Sequence, residues 1–156
     1  MNNRIIRLSK LTSILILGIS LIVSSCQKEN KEEPQPTKKE MLVNKWKVSD
    51  LLAPGGSSVI GMDIDEVKCL KDNIFTLASN DTYTIDEGTV VCDPSSAGKG
   101  TWMLTDSDTK LKFTPDDGGD PLIFTIVELN TTTLKVSYEI TDIPLPGIYT
   151  IVLTKQ

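Results

Sequence analysis

The chain has 156 residues and a formal net charge of −5, enough for one domain with one continuous core and too short for two. It contains no histidine, which removes the usual general base near neutral pH and the commonest metal ligand, and with them Ser-His-Asp, Cys-His and His-zinc schemes. Residues 41–156 carry nine Lys, no Arg and 17 acids, a net −8, a balance that repels nucleic acid and anionic membrane surfaces.

Arg4, Arg7 and Lys10 form a basic leader ahead of an apolar run over residues 11–23. A helix of that length rises about 20 Å, short of the roughly 30 Å of hydrocarbon that a spanning helix crosses, so the run reads as the hydrophobic region of a signal peptide. It ends at Val23-Ser24-Ser25-Cys26. An aliphatic residue, two small residues and a cysteine resemble the lipobox of bacterial lipoproteins. That resemblance implies cleavage before Cys26 and a diacylglyceryl thioether on its sulfur. Two or three acyl chains anchor a protein stably at ~0.8 kcal/mol per buried CH₂, where one chain does so marginally.

The chain then divides into a removed signal peptide (residues 1–25), a lipidated cysteine with a charged, Pro-containing tether (26–40), and a folded domain (41–156). Gln27 does not match the inner-membrane retention rule, which implies an outer-membrane anchor. Lys28-Glu29 partly resembles the Lys-acid surface-export signal of some Gram-negative lipoproteins, a solvated spacer being the alternative. With Cys26 spent on the anchor, Cys69 and Cys92 remain as an even pair, which in an exported protein points to a disulfide. Neither lies in a Cys-x-x-Cys arrangement, so a reactive or metal-binding pair is the weaker reading.

From Trp46 the apolar pattern has period two, with β-branched and aromatic residues bounded by Asn, Asp, Gly and Pro. Residues 38–43 allow one lead-in helical turn. A first strand runs through Trp46 and Val48, and after Pro54-Gly55-Gly56 a weaker second strand is expected over residues 59–65. Hairpins are expected for residues 74–79 and 82–86 across Asn80-Asp81, and for residues 100–105 and 110–114 across Asp106-Ser107-Asp108. Strands over residues 122–129, 133–140 and 148–153 complete the chain. The first and last of these three are apolar on both faces, which calls for a cover on their outer side, either the lead-in segment or a partner. Eight or nine short strands with hairpin connections predict an all-β fold, an antiparallel up-and-down barrel of about eight strands, with a β-sandwich as the alternative.

These residues resemble the lipocalin-like domains of bacterial lipoproteins over roughly residues 42–154. The likeness rests on Leu42-Val43-Asn44-Lys45-Trp46, on Cys69 through Asn73 followed by Phe75, on Thr82-Tyr83, on Asp86-Glu87-Gly88 followed by Cys92, on Gly100-Thr101-Trp102, on Leu111 and on Ile126 through Leu129. It implies a small-molecule-binding barrel opened by Trp46. Asn44 stands where lipocalins proper usually have the Gly of a Gly-x-Trp motif, and no Arg follows to pack on that Trp.

Candidate pocket walls are the inward alternating residues Trp46, Val48, Phe75, Leu77, Tyr83, Trp102, Leu104, Phe113, Phe124, Val136, Tyr138 and Tyr149, joined by Leu111 and Ile151. The same residues filling a solid interior is the competing reading, as in many small barrels. Asp116-Asp117-Gly118-Gly119-Asp120 lacks the ligand spacing and terminal Glu of a calcium loop and reads as solvated turn acids. No cofactor, metal or nucleophile motif stands out, so the expected function is non-enzymatic. It is binding of a small apolar or amphipathic ligand by an outer-membrane lipoprotein, with a protein- or glycan-interaction module as the alternative.

Overall fold

The computed structural model describes residues 34–141 and 145–156; the expected signal peptide, Cys26 and the first part of the expected tether lie outside the described residues. The folded unit opens with helix α1 (Lys38–Leu42). Thr37 starts it with a capping box: its hydroxyl oxygen accepts from the Glu40 amide at 3.2 Å, and the Glu40 carboxylate accepts from the Thr37 amide at 2.7 Å. Eight strands follow, β1 (Lys45–Leu52), β2 (Ile74–Leu77), β3 (Thr82–Asp86), β4 (Gly98–Thr105), β5 (Lys110–Pro115), β6 (Leu122–Leu129), β7 (Thr133–Ile140) and β8 (Gly147–Lys155), with a short helix α2 (Asp65–Lys68) between β1 and β2.

Each strand pairs antiparallel with the next, and β1 also pairs with β8, so one sheet closes into an up-and-down barrel. Closure decides between the two expected architectures, since a sandwich would leave two sheets with free edges. Trp46 sits at the seam, opposite Phe75 on one side and Lys155 on the other. Register shifts between Val48 and Asp50 and between Ile126 and Glu128 mark β-bulges, which sharpen twist and help so short a sheet curl onto itself.

The β2–β3, β4–β5 and β6–β7 turns and α1 shut one end of the barrel. At the β2–β3 turn Asp81 adopts a φ of 66°, and at the β4–β5 turn Asp106, Ser107 and Asp108 are all left-handed, as expected of residues whose short polar side chains tolerate that region. Lys38 Nζ donates to the Asp108 carbonyl at 2.9 Å, and Lys39 Nζ pairs with Asp81 at 2.6 Å while lying 5.9 Å from the Trp102 ring centre. The α1 side chain Leu42 is fully buried beneath them, and its carbonyl accepts from Trp46 Nε1 at 2.8 Å. Trp102 Nε1 donates to the Ala78 carbonyl at 3.1 Å, so both indoles are buried without an orphaned N–H.

The opposite end is bounded by the loops between β1 and β2, β3 and β4, β5 and β6, and β7 and β8. Here the expected strand over residues 59–65 does not form. Gly55 and Gly56, both at positive φ, turn the chain back so that only Ser58 bridges Leu52. Val59 donates to the Leu51 carbonyl, and Asp50 Oδ1 accepts from Ser58 Oγ at 2.6 Å. The apolar alternation of residues 60–64 imitates a strand, but the Ile64 carbonyl accepts from Val67 and Lys68 and starts α2 instead. Ile60 packs against the core while Met62 and Ile64 stay exposed. The α1 lead-in covers the closed end and not the outer wall, where Ile123, Val127 and Ile148 remain exposed.

Cys69, beside α2, is disulfide-bonded to Cys92 in the β3–β4 loop, with Cα atoms 5.1 Å apart. The staple expected from the even cysteine count therefore joins two open-end loops. All eight strands, the core and this disulfide lie within residues 34–156, which form one compact unit; that segment carries everything the barrel needs to fold.

Candidate functional site: the lumen and its open mouth

Alternation sends one face of every strand inward, and the buried core is made of Leu42, Trp46, Val48, Leu77, Tyr83, Trp102, Leu111, Phe113, Leu134, Val136 and Leu153. A cavity of about 20 Å³ remains near the middle of the lumen. Eight of the expected wall residues line it, Trp46, Phe75, Leu77, Leu111, Phe113, Phe124, Val136 and Ile151, together with Leu134 and Leu153. That volume is about one water-sized sphere, and walls without a polar atom would keep it dry. The deep lumen is packed.

Val48, Tyr83 and Trp102 are buried in the core but do not border this cavity, and Leu104 is half-buried against that core. Tyr138 and Tyr149 are placed differently. They face each other across β7 and β8 near the open end, with Tyr138 37% exposed and the Tyr149 hydroxyl donating to the Leu145 carbonyl at 2.9 Å. A row of rings leads there from the core. Tyr83 meets Phe113 edge-on with centroids 4.9 Å apart, Phe113 meets Phe124 at 5.8 Å, and Phe124 meets Tyr138 at 5.3 Å.

Beside this row a groove of about 550 Å³ opens between the β3–β4 and β5–β6 loops. Tyr83, Ile85 and Leu122 provide apolar lining, and Ser95, Ser96, Lys99, Asp116 and Asp117 the polar part. Burial pushes the Tyr83 phenol above its ordinary pKa, and the charges of Asp117 and Asp116 push it the same way, so the field of those acids reaches the ring. The volume falls in the range of small-molecule clefts, in contrast to the closed lumen.

The groove's far wall is built around Glu87, which is 5% exposed. Its carboxylate accepts from Ser95 Oγ at 2.6 Å, Ser96 N at 2.7 Å, Ser96 Oγ at 2.9 Å and Cys92 N at 3.1 Å. Ser96 Oγ also accepts from Nδ2 of the buried Asn73 at 3.0 Å. Asp72 holds the same loop from outside, accepting from Thr89 N at 2.7 Å, Thr89 Oγ1 at 2.9 Å and Val90 N at 3.2 Å. Glu87 and Gly88 belong to the stretch that carried the family resemblance, but nothing in the sequence alone announces that one carboxylate organises the loop.

Donated hydrogen bonds, those from Ser95 foremost, lower the Glu87 pKa from 4.5 to about 2, and Asp72 and Glu40 are lowered by the bonds they accept from Thr89 and Thr37. A carboxylate with a depressed folded pKa stabilises the fold fully above its unfolded value, and that contribution fades as pH falls toward the folded one. The expected result is a loss of stability between about pH 4.5 and pH 2, steeper in the native protein than in Glu87→Gln. Urea midpoints measured across that range check it; superimposable pH profiles would contradict it.

Among the described residues no group of three or more His, Cys, Asp or Glu side chains is placed to hold a metal ion. A closed antiparallel eight-stranded barrel, helix-plugged and tryptophan-sealed at one end and open at the other, defines a ligand-binding type of fold. The lipocalin-like domain family model matches residues 42–136, and the chain belongs to that family. Among solved structures, a lipocalin-like protein from Bacteroides uniformis ATCC 8492 is similar with a TM-score of 0.50 and 12% identity, over 74% of this chain and 99% of that one; at that identity the likeness concerns the fold alone. A comparison with curated proteins finds no match.

Proposed function

We propose that this is a non-catalytic outer-membrane lipoprotein, anchored by acyl chains on Cys26, whose barrel binds a small apolar or amphipathic molecule at its open mouth. The observation that carries the reading is a groove of about 550 Å³ lined by Tyr83, Ile85 and Leu122, with a row of rings running from that Tyr83 through Phe113 and Phe124 to Tyr138. The lumen below offers about 20 Å³, so the ligand sits at the mouth, against Tyr83, Leu122 and the Tyr138–Tyr149 pair. The absence of histidine from the sequence favours binding over hydrolysis, and Val23-Ser24-Ser25-Cys26 supports the anchor.

Native mass spectrometry of the protein purified from its own membranes, joined to titration of residues 34–156 with a fluorescent fatty-acid or retinoid-like compound, tests the binding. A bound small molecule or saturable uptake is expected, and an empty barrel that takes up neither compound would overturn the proposal. Cys26→Ser is expected to abolish palmitate labelling, and labelling that survived it would remove the anchor. A second reading, an interaction module with a filled core, is favoured by the packed lumen together with Met103, Ile123, Val127 and Ile148, 46–60% exposed on the outer wall. Consistent crosslinking of one partner through that wall on intact cells would promote it.

A further inference from the structure

The fold sorts the charge of the domain. Three open-end loops, residues 53–73, 87–97 and 116–121, contain nine acids and two lysines, a net −7. The rest of residues 41–156 contains eight acids and seven lysines, a net −1. Nearly all of the excess charge is thus carried by these loops at the mouth. The same loops expose Met62, Ile64, Val90 and Val91, each 43–67% accessible. Concentrating like charges destabilises a compact fold, and the resulting potential raises the local concentration of counter-charged ligands in a low-dielectric cleft.

We propose that the mouth selects cationic amphiphiles: a single-chain ammonium compound whose alkyl part lies on Tyr83, Ile85 and Leu122 and whose head lies beside Asp116 and Asp117. The inference rests on the reading of the mouth as the binding site and names the chemistry of its ligand. Lys99 is the one lysine on that groove among the described residues, and Ser95 and Ser96 are already committed to Glu87; neither offers an anionic head a better seat than the aspartates deny it. Rings at the mouth add attraction for an ammonium group through their negative faces. An anionic fatty acid meets the opposite field and binds more weakly, although its tail fits the same floor.

The experiment titrates residues 34–156 with dodecyltrimethylammonium, dodecyl maltoside and dodecyl sulfate, each below its micelle concentration, by calorimetry. The cation is expected to bind about tenfold more tightly than the neutral compound, with the sulfate weakest. In 1 M NaCl, where the screening length shrinks to about 3 Å, the cation's advantage is expected to fall to about twofold. Asp116→Asn with Asp117→Asn is expected to narrow the cation-to-neutral ratio to about threefold. Equal affinity for all three compounds overturns the charge selection and leaves the mouth as a binding site. A ratio unchanged in the double variant overturns the placement of the head at these aspartates. No binding of any compound overturns the mouth reading itself and this selection with it.

Discussion

Gly100→Ala is expected to cost about 3 kcal/mol or more, an overpacking penalty at the upper end of the usual range for a single methyl. Gly100 is an inward residue of β4, opposite Tyr83 on one neighbouring strand and Pro115 on the other. A Cβ there would stand 2.1 Å from the Thr114 carbonyl oxygen, 2.8 Å from the Tyr83 ring and 3.0 Å from Pro115 Cα. Two of those three atoms are backbone of β5, so relief requires opening the β4–β5 ladder. The third belongs to a ring locked edge-on to Phe113, so moving it disturbs the aromatic row to the mouth. Gly98 is two residues away on the same strand and face, and the nearest atom to its Cβ would be 4.0 Å distant. Gly98→Ala is therefore expected to change stability by less than about 1 kcal/mol. Urea unfolding followed by tryptophan fluorescence compares the two; equal effects would show that close packing is not what requires glycine at 100.

Replacing both bridged cysteines, Cys69→Ala with Cys92→Ala, is expected to cost about 3 kcal/mol. The bridged residues are 23 apart in sequence, and a loop of that size loses about that much chain entropy in the unfolded state when closed. The loss has a local side as well. The bond ties the α2 segment to the β3–β4 loop, which Asp72 and the Asn73–Ser96 bond also hold to the β1–β2 connection. Amides of residues 60–73 and 87–97 are expected to lose hydrogen-exchange protection well before the strands do. An unfolding free energy within about 0.5 kcal/mol of the parent would mean that the folded core, and not the cross-link, sets the stability.

Much of this architecture is legible in the residues because short-range chemistry decides it. Asn80-Asp81 and Asp106-Ser107-Asp108 announce their turns, and the left-handed backbone angles at Asp81 and at Asp106, Ser107 and Asp108 are the physical reason they do so. Thr37 and Glu40 are a capping box that ends in a helix of only five residues, and Trp46 and Trp102 alternate inward as period two requires. Closure was beyond strand counting, since it depends on β1 reaching β8 and on bulges at Ser49 and Val127, which no local pattern betrays. The stretch around Met62 and Ile64 read as a strand because alternation is blind to whether a partner strand exists; Gly55 and Gly56 had already turned the chain away from one.

The site divides along the same line. Inward residues were identifiable from alternation, but whether they surround a pocket or fill it depends on side-chain volumes across the barrel, and the sum leaves about 20 Å³. Tyr138 and Tyr149 share a parity with Val136 and Ile151 and differ only in height along the barrel axis, which places them at the mouth. The organising role of Glu87 required a loop to wrap four donors around one carboxylate, a long-range fact invisible in Asp86-Glu87-Gly88 alone. The charge sorting is hidden in the same way: the −8 is plain from composition, and the gathering of most of it at one end appears only when the loops are assigned to that end.

The most direct measurement is an amide chemical-shift titration of isotopically labelled residues 34–156 with a neutral single-chain amphiphile. Binding at the mouth predicts saturable shifts around Tyr83, Leu122, Tyr138 and Tyr149, with the closed-end turns at Asp81, Asp106 to Asp108 and Asn130 unmoved. Shifts confined to the outer wall near Met103 and Val127, or none at saturating amphiphile, would contradict it.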